Sequence, residues 1–365
     1  MKNILVISNS SLNNPIRGTP LRVCNIIRQM RRSHNLLVCS IDVPEEFESV
    51  FISYPSCGRL KKLDFFKNLI KKNNINTVLI ATEMEIKLPV FLKFFCGVKI
   101  VIDIHGLYAE ELRYKGSIGL IKKFLSDKIV KFYLYFYDLV LVCADKLKDY
   151  YDSVNPNIEI IYGGVNLKEF EPSSVKKTEI FTIGYMGNDR PYQGLGYLLQ
   201  AAVNIKQKKT FPFKLNLVLS DKNEEAIKDK FKKLNIFENI SLSCNVEHSK
   251  VDSIIKISDV LVIPRPSVIM TEYAFPSKLP EYLATGIPII ITNVGPVKTF
   301  LKIKEACIVI PSENITKHLE ETLYKVYSMN SEERNTLRKK SLRLVETEFN
   351  WDTLGGRLNE FLEIL

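Results

Sequence analysis

The chain has 365 residues, 46% of them hydrophobic, enough for two ordinary domains of roughly 150 residues, each with its own core. Its longest apolar runs fall far below the ~20 residues that a transmembrane helix needs, so no membrane span is expected. The formal charge of +10 favours an anionic partner, whether nucleotide, nucleic acid or acidic membrane face, and the seven cysteines, scattered without a CxxC pair, read as reduced structural thiols.

Residues 2–8 are too briefly apolar for a signal segment and read as the first strand of a cytoplasmic protein. Arg17-Gly18-Thr19-Pro20 then leads into a helix with apolar positions Leu21, Cys24, Ile27 and Met30. Gly18 suits a loop whose backbone approaches a ligand, and equally a plain turn. Further buried strands are expected over 36–41, 77–81, 99–104 and 138–143. His105 follows the strand 99–104, at the end where doubly wound folds place ligands. Glu110 and Glu111 read as a helix start. Residues 115–137 carry Lys122, Lys123, Lys128, Lys131 and the aromatic-rich run 132–137. Both a membrane-surface helix and a core helix with one solvated edge fit this composition, and the position between two strands favours the core helix.

Ile160-Ile161-Tyr162-Gly163-Gly164-Val165-Asn166, followed by Pro172-Ser173-Ser174, suits an exposed connection. It divides the chain near Pro172 into domains 1–172 and 173–346, with a terminal segment 347–365. Strands over 180–186, 214–219, 240–242, 259–263, 287–291 and 307–310 build the second half. Between 259–263 and 287–291 lies Tyr273-Ala274-Phe275-Pro276-Ser277-Lys278-Leu279-Pro280-Glu281, then Gly286. Ser277 as N-cap and Gly286 as terminator predict a short helix. Its amino end and Lys278 would suit a diphosphate, and Glu281 could accept hydrogen bonds from ribose hydroxyls, although ordinary capping fits the same residues. The lysines of 206–209 and 228–233 read as solvated helix surface. In 347–365, Trp351, Leu354, Leu358, Phe361 and Leu362 mark an amphipathic helix that needs a surface to cover.

Three stretches together resemble the retaining glycosyltransferases of family 4. Ser258-Asp259-Val260-Leu261-Val262-Ile263-Pro264 with Phe275, Glu281, Ala284, Gly286 and Pro288 is similar to the family's donor signature. Ile161 to Phe170 resembles its "PNGVDxxxF" segment, and Gly184-Tyr185-Met186-Gly187 through Gln193-Gly194-Leu195 to Ala201 resembles its "YVGRxxxxKGxxxLLxA" loop. The resemblance implies an α/β chain of two doubly wound Rossmann-like domains facing a cleft, the GT-B fold, with the terminal helix packed back on the first domain. Glu281 falls on the family's second glutamate and should hold the ribose. The first falls on Tyr273, leaving the adjacent Glu272 as its substitute. The phosphate-binding Arg and Lys fall on Asn188 and Gln193, so Arg190 and Lys278 are expected to restore the charge. Gly18, Gly187, Gln193, Gly194, Phe275, Ser277 and Leu279 complete the implied donor site, and His105 lies near the donor sugar and acceptor.

The implied reaction moves a sugar from a nucleoside diphosphate sugar to a glycan or lipid-linked acceptor, without metal or cofactor, the leaving phosphate taking the acceptor proton. Nucleic acid is not expected as a partner; the inner membrane face is a candidate location. A nucleotide-sugar epimerase and a non-catalytic binding subunit are the rivals. An epimerase converts donor without acceptor, and a binding subunit binds donor without transfer. Lys278→Ala is expected to weaken donor binding far more than a change at a distant lysine such as Lys230.

Overall fold

The computed structural model describes residues 1–13, 18–81, 85–114, 116, 119–169, 172–173, 180–220 and 224–365; Arg17 and Phe170 lie outside them. The chain divides into two compact units. The first comprises Met1–Gly163, Tyr273–Phe275 and Trp351–Leu365, the second Gly164–Glu272 and Pro276–Asn350. The chain thus leaves the first unit at Gly163, ahead of Pro172.

The first unit holds β1 (Asn3–Ile7), β2 (Asn35–Ser40), β3 (Phe51–Ser53), β4 (Thr77–Ile80), β5 (Lys99–Ile104), β6 (Leu139–Val142) and β7 (Ile158–Ile160). They form one sheet in the order β3-β2-β1-β4-β5-β6-β7, with parallel ladders throughout. Val, Ile and Leu fill the central strands because helices cover both faces of a parallel sheet, so every residue of β4 and β6 is buried. β7 corrects the expectation that 160–166 is wholly a connection: its first residue, Ile160, ends an edge strand.

The helix Trp351–Ile364 covers the helix Gly18–Arg31, with Trp351, Leu354, Leu358 and Leu362 joining Val23, Cys24, Ile27 and Met30 in one core. Gly355 lies so close to Gln29 that an added Cβ would sit 2.4 Å from its side-chain oxygen.

The second unit holds β8 (Phe181–Gly187), β9 (Phe213–Leu219), β10 (Ile240–Cys244), β11 (Val260–Ile263), β12 (Ile289–Thr292) and β13 (Ile308–Ile310). Their order is β10-β9-β8-β11-β12-β13, again parallel. Its core gathers the apolar faces of helices Leu195–Lys208 and Ile315–Ser328 against the sheet. Both units are therefore doubly wound Rossmann-like layers. Among the described residues no helix is long and apolar enough to cross a membrane.

Candidate functional site

In the second sheet the strand order reverses between β8 and β11, so the loops leaving their carboxyl ends bound the natural ligand crevice. β8 ends at Gly187. The loop then makes a 3-10 turn, Pro191–Gln193, and reaches Gly194. Gly194 has φ +80, and a Cβ there would stand 1.8 Å from the Pro264 carbonyl oxygen at the end of β11. Only glycine lets these two loops touch. Arg265 follows, buried, its carbonyl accepting the Thr292 hydroxyl at 2.6 Å.

Against this loop pair stands Lys278, 7% exposed. Its Nζ lies 3.3 Å from Gln193 Oε1 and 4.5 Å from the centre of the Tyr185 ring, and a Cβ on Gly187 would stand 2.6 Å from it. Burial, reinforced by the positive charge of Arg265, pulls the Lys278 pKa down to about 7. Glu281 is likewise buried; desolvation pushes its pKa up to about 8, with Lys278 opposing and Asp252 adding to the rise. Two oppositely charged groups are thus held near neutrality at a strand-order reversal, a situation an anionic ligand with hydroxyls would relieve. Tyr282 braces the helix against β8, its hydroxyl accepting the Met186 amide at 2.7 Å.

The local geometry corrects several expectations. The helix runs Leu279–Thr285 with Lys278, not Ser277, at its N-cap, and no side chain caps it. The Leu279 amide donates to the Pro276 carbonyl at 2.9 Å, a tight turn that absorbs the donor expected to meet phosphate. With seven residues the helix supplies little dipole, so charge at this site comes from side chains. Gly286 ends it in the left-handed region, as expected. Arg190 is exposed, its guanidinium 3.4 Å from the Tyr192 hydroxyl. Arg265, which the sequence reading missed, adds a buried cation at this site; its place directly after β11 and Pro264 was the available signal. Lys230 is a poor distant control, because it pairs at 2.6 Å with Asp189 in the Gly187 loop.

Glu272 is no exposed loop carboxylate. It ends the short helix Ile269–Glu272, accepts from Ser267 at 2.6 Å and pairs with Lys298 at 2.5 Å. Tyr273 and Phe275 belong to the first unit, where Tyr273 packs edge-on to Tyr150 and Phe275 lies 5.4 Å from the Tyr162 ring. Gly18 opens the helix Gly18–Arg31 rather than sitting within a loop.

In the first unit, His105 follows β5 and its Nε2 lies 2.5 Å from Asp103. Asp103 also takes two bonds from Arg22, at 2.8 and 2.9 Å, and Arg22 donates to the Tyr162 carbonyl at 2.8 Å. Burial works to raise the Asp103 pKa, but Arg22 and His105 outweigh it and hold the carboxyl well below the usual range. The ionised carboxylate fixes the orientation of the His105 ring. Glu110 lies in the helix Tyr108–Tyr114 and pairs with Lys123 and Arg113.

Residues 167–343 match the family model described as glycosyl transferases group 1. No curated protein is significantly similar in sequence. Among solved structures, sucrose-phosphate synthase from Thermosynechococcus elongatus superposes with a TM-score of 0.78 at 15% identity, over 100% of this chain and 99% of that one. A glycosyltransferase from Rickettsia africae gives 0.78 at 16% identity, over 100% and 98%. HepE of Anabaena, solved in complex with UDP-glucose, gives 0.78 at 12% identity, over 100% of both. The family model thus matches within the second unit, and the fold of these structures is shared along the whole chain.

Proposed function

We propose that this chain moves a glycosyl group from a nucleoside diphosphate sugar to a hydroxyl of a glycan or lipid-linked acceptor, with retention of anomeric configuration and without a metal ion. The group 1 match and the structural neighbours indicate a nucleotide-sugar glycosyltransferase. The observation that carries the reading is the buried Lys278–Glu281 pair beside Arg265 and the Gly187 loop. As the sugar departs, negative charge grows on the diphosphate, and Lys278 and Arg265 stabilise it where it develops. Glu281 accepts from the ribose hydroxyls. Glu272, steadied by Ser267 and Lys298, takes the part of the family's first glutamate, and His105, held by Asp103, offers a ring nitrogen to the sugar. The acceptor reading goes with a peripheral position at a membrane face in glycan assembly.

A thermal-shift screen against nucleotide sugars tests the donor half, since a ligand at ~100 times its Kd adds ~2.7 kcal/mol of stability. Lys278→Ala is expected to weaken the hit about 10–100-fold, the loss of a charged hydrogen bond. Lys340→Ala, on the exposed side of the helix Ser331–Glu348, should leave it unchanged. Incubating the hit with and without acceptor distinguishes transfer from epimerisation. No shift with any donor, or equal affinity in both variants, removes the assignment.

A further inference from the structure

The helix Leu120–Leu134 buries Val130 and Leu134 but carries a second set of apolar residues outward. Ile121 is 77% exposed, Phe132 62% and Tyr135, just past the helix end, 71%; Phe124 and Leu125 are also exposed. Spaced at three, four and seven residues, these positions share one face. The helix Lys87–Cys96 extends the patch: its inner face buries Leu88, Val90 and Leu92, whereas Phe94 and Phe95 are exposed. Phe94 and Phe132 both pack edge-on against Phe136, at 5.8 and 5.5 Å, joining the two helices into one surface. The sequence favoured a core helix with one solvated edge here; the inner side is buried at Val130 and Leu134, and the solvated edge is apolar.

The charges on this surface are mostly positive, with Asp64 4.0 Å from Lys67 as an exposed carboxylate. Lys128 sits over the Phe124 ring at 4.6 Å, Lys87 over Tyr133 at 5.6 Å and Lys67 over Phe95 at 5.1 Å, and Lys122 is exposed beside them. Among the described residues Lys87, Lys122 and Lys128 make no ion pair. Asp127, the single carboxylate of the two helices, accepts from the Tyr150 hydroxyl at 2.7 Å and lies 3.7 Å from Lys131. An apolar, aromatic centre with a lysine rim is the composition of an interfacial anchor. A second copy of this chain would set the same lysines against each other.

We infer that the joint face of helices Lys87–Cys96 and Leu120–Leu134 docks on the surface of an anionic bilayer, with the aromatic side chains at the headgroup level and the lysines against lipid phosphates. This deepens the membrane-face part of the proposed function, and the donor arm of the test keeps the two separable.

The test is co-sedimentation of the full chain with phosphatidylcholine vesicles, with and without phosphatidylglycerol. Binding is expected only with the anionic lipid and should weaken as salt rises. Lys122→Glu with Lys128→Glu should lower the partition coefficient by tenfold or more, and Phe124→Ser with Leu125→Ser by roughly tenfold. Both variants should keep the wild-type thermal shift with nucleotide sugar, which reports on the second unit. Absence of binding to anionic vesicles, equal binding by wild type and both variants, or a dimer in sedimentation velocity that the Ser pair dissociates would overturn the inference. Failure of the donor shift in the wild type, with vesicle binding intact, would remove the sugar-transfer reading and leave the docking surface standing.

Discussion

Donor binding should take up a proton at Lys278. Its ammonium is buried next to Arg265, and the free protein holds its pKa at about 7. A diphosphate against Nζ favours the charged form and returns the pKa toward the ordinary lysine range, so binding draws in a proton wherever the free lysine has lost one. Below about pH 7 affinity is flat; above it affinity falls about tenfold per pH unit, reaching ~100-fold, or ~2.7 kcal/mol, near pH 9. Glu281, with its pKa raised to about 8, titrates in the same window with the opposite sign. On losing its proton it accepts more strongly from ribose and raises the Lys278 pKa, so it blunts the slope, and Glu281→Gln should sharpen it. Lys278→Arg keeps its charge throughout and should abolish the fall of affinity above pH 7. Calorimetric titration of UDP-glucose, or another donor returned by the screen, in buffers of different ionisation heat reads both affinity and proton uptake. UDP-glucose suits this because its diphosphate has no group titrating in the window. A flat wild-type profile, or the same slope in Lys278→Arg, would refute the reasoning.

Two further outcomes test the scaffold. Asp103→Asn leaves the Arg22 guanidinium buried without its counter-charge, at an expected cost of about 3–5 kcal/mol in urea unfolding; a loss below about 1 kcal/mol would show that the pair is not what holds this corner. In the wild type the pair's contribution is present above the ordinary aspartate value of 3.8 and is lost as pH falls below it, because the folded pKa is depressed. Gly194→Ala forces a Cβ into the Pro264 carbonyl at a positive φ and should lower stability by at least about 1–3 kcal/mol, read as a fall in Tm. An unchanged melting curve would mean that the loop contact is not rigid.

The residues that were legible in the sequence are those whose own pattern determines their state. The Val, Ile and Leu runs of β4, β6, β11 and β12 announce strands buried on both faces. β3 and β7 were not legible: each is a three-residue edge strand, too short to carry a period. The helix at 120–134 shows the limit of periodicity, which reveals that an apolar face exists but not whether anything covers it. Lys278 and Glu281 were found because a helix start and a terminator framed them. Arg22 and Arg265 were missed because their meaning lies in Asp103 and Lys278, 81 and 13 residues away. The cap was misplaced at Ser277 because the Pro276–Leu279 turn claims an amide that local preference assigns to a ligand.

The packing of helix Trp351–Ile364 onto helix Gly18–Arg31 has a consequence for how the protein is made. Trp351, Leu354, Leu358 and Leu362, which complete the core around that opening helix, leave the ribosome after the whole of 164–350. At ~5–20 residues per second, that delay lasts roughly 10–40 s. Throughout it the core around Val23, Cys24, Ile27 and Met30 lacks its terminal-helix side, while all of the second unit emerges before Trp351 does. The half synthesised first is the half completed last.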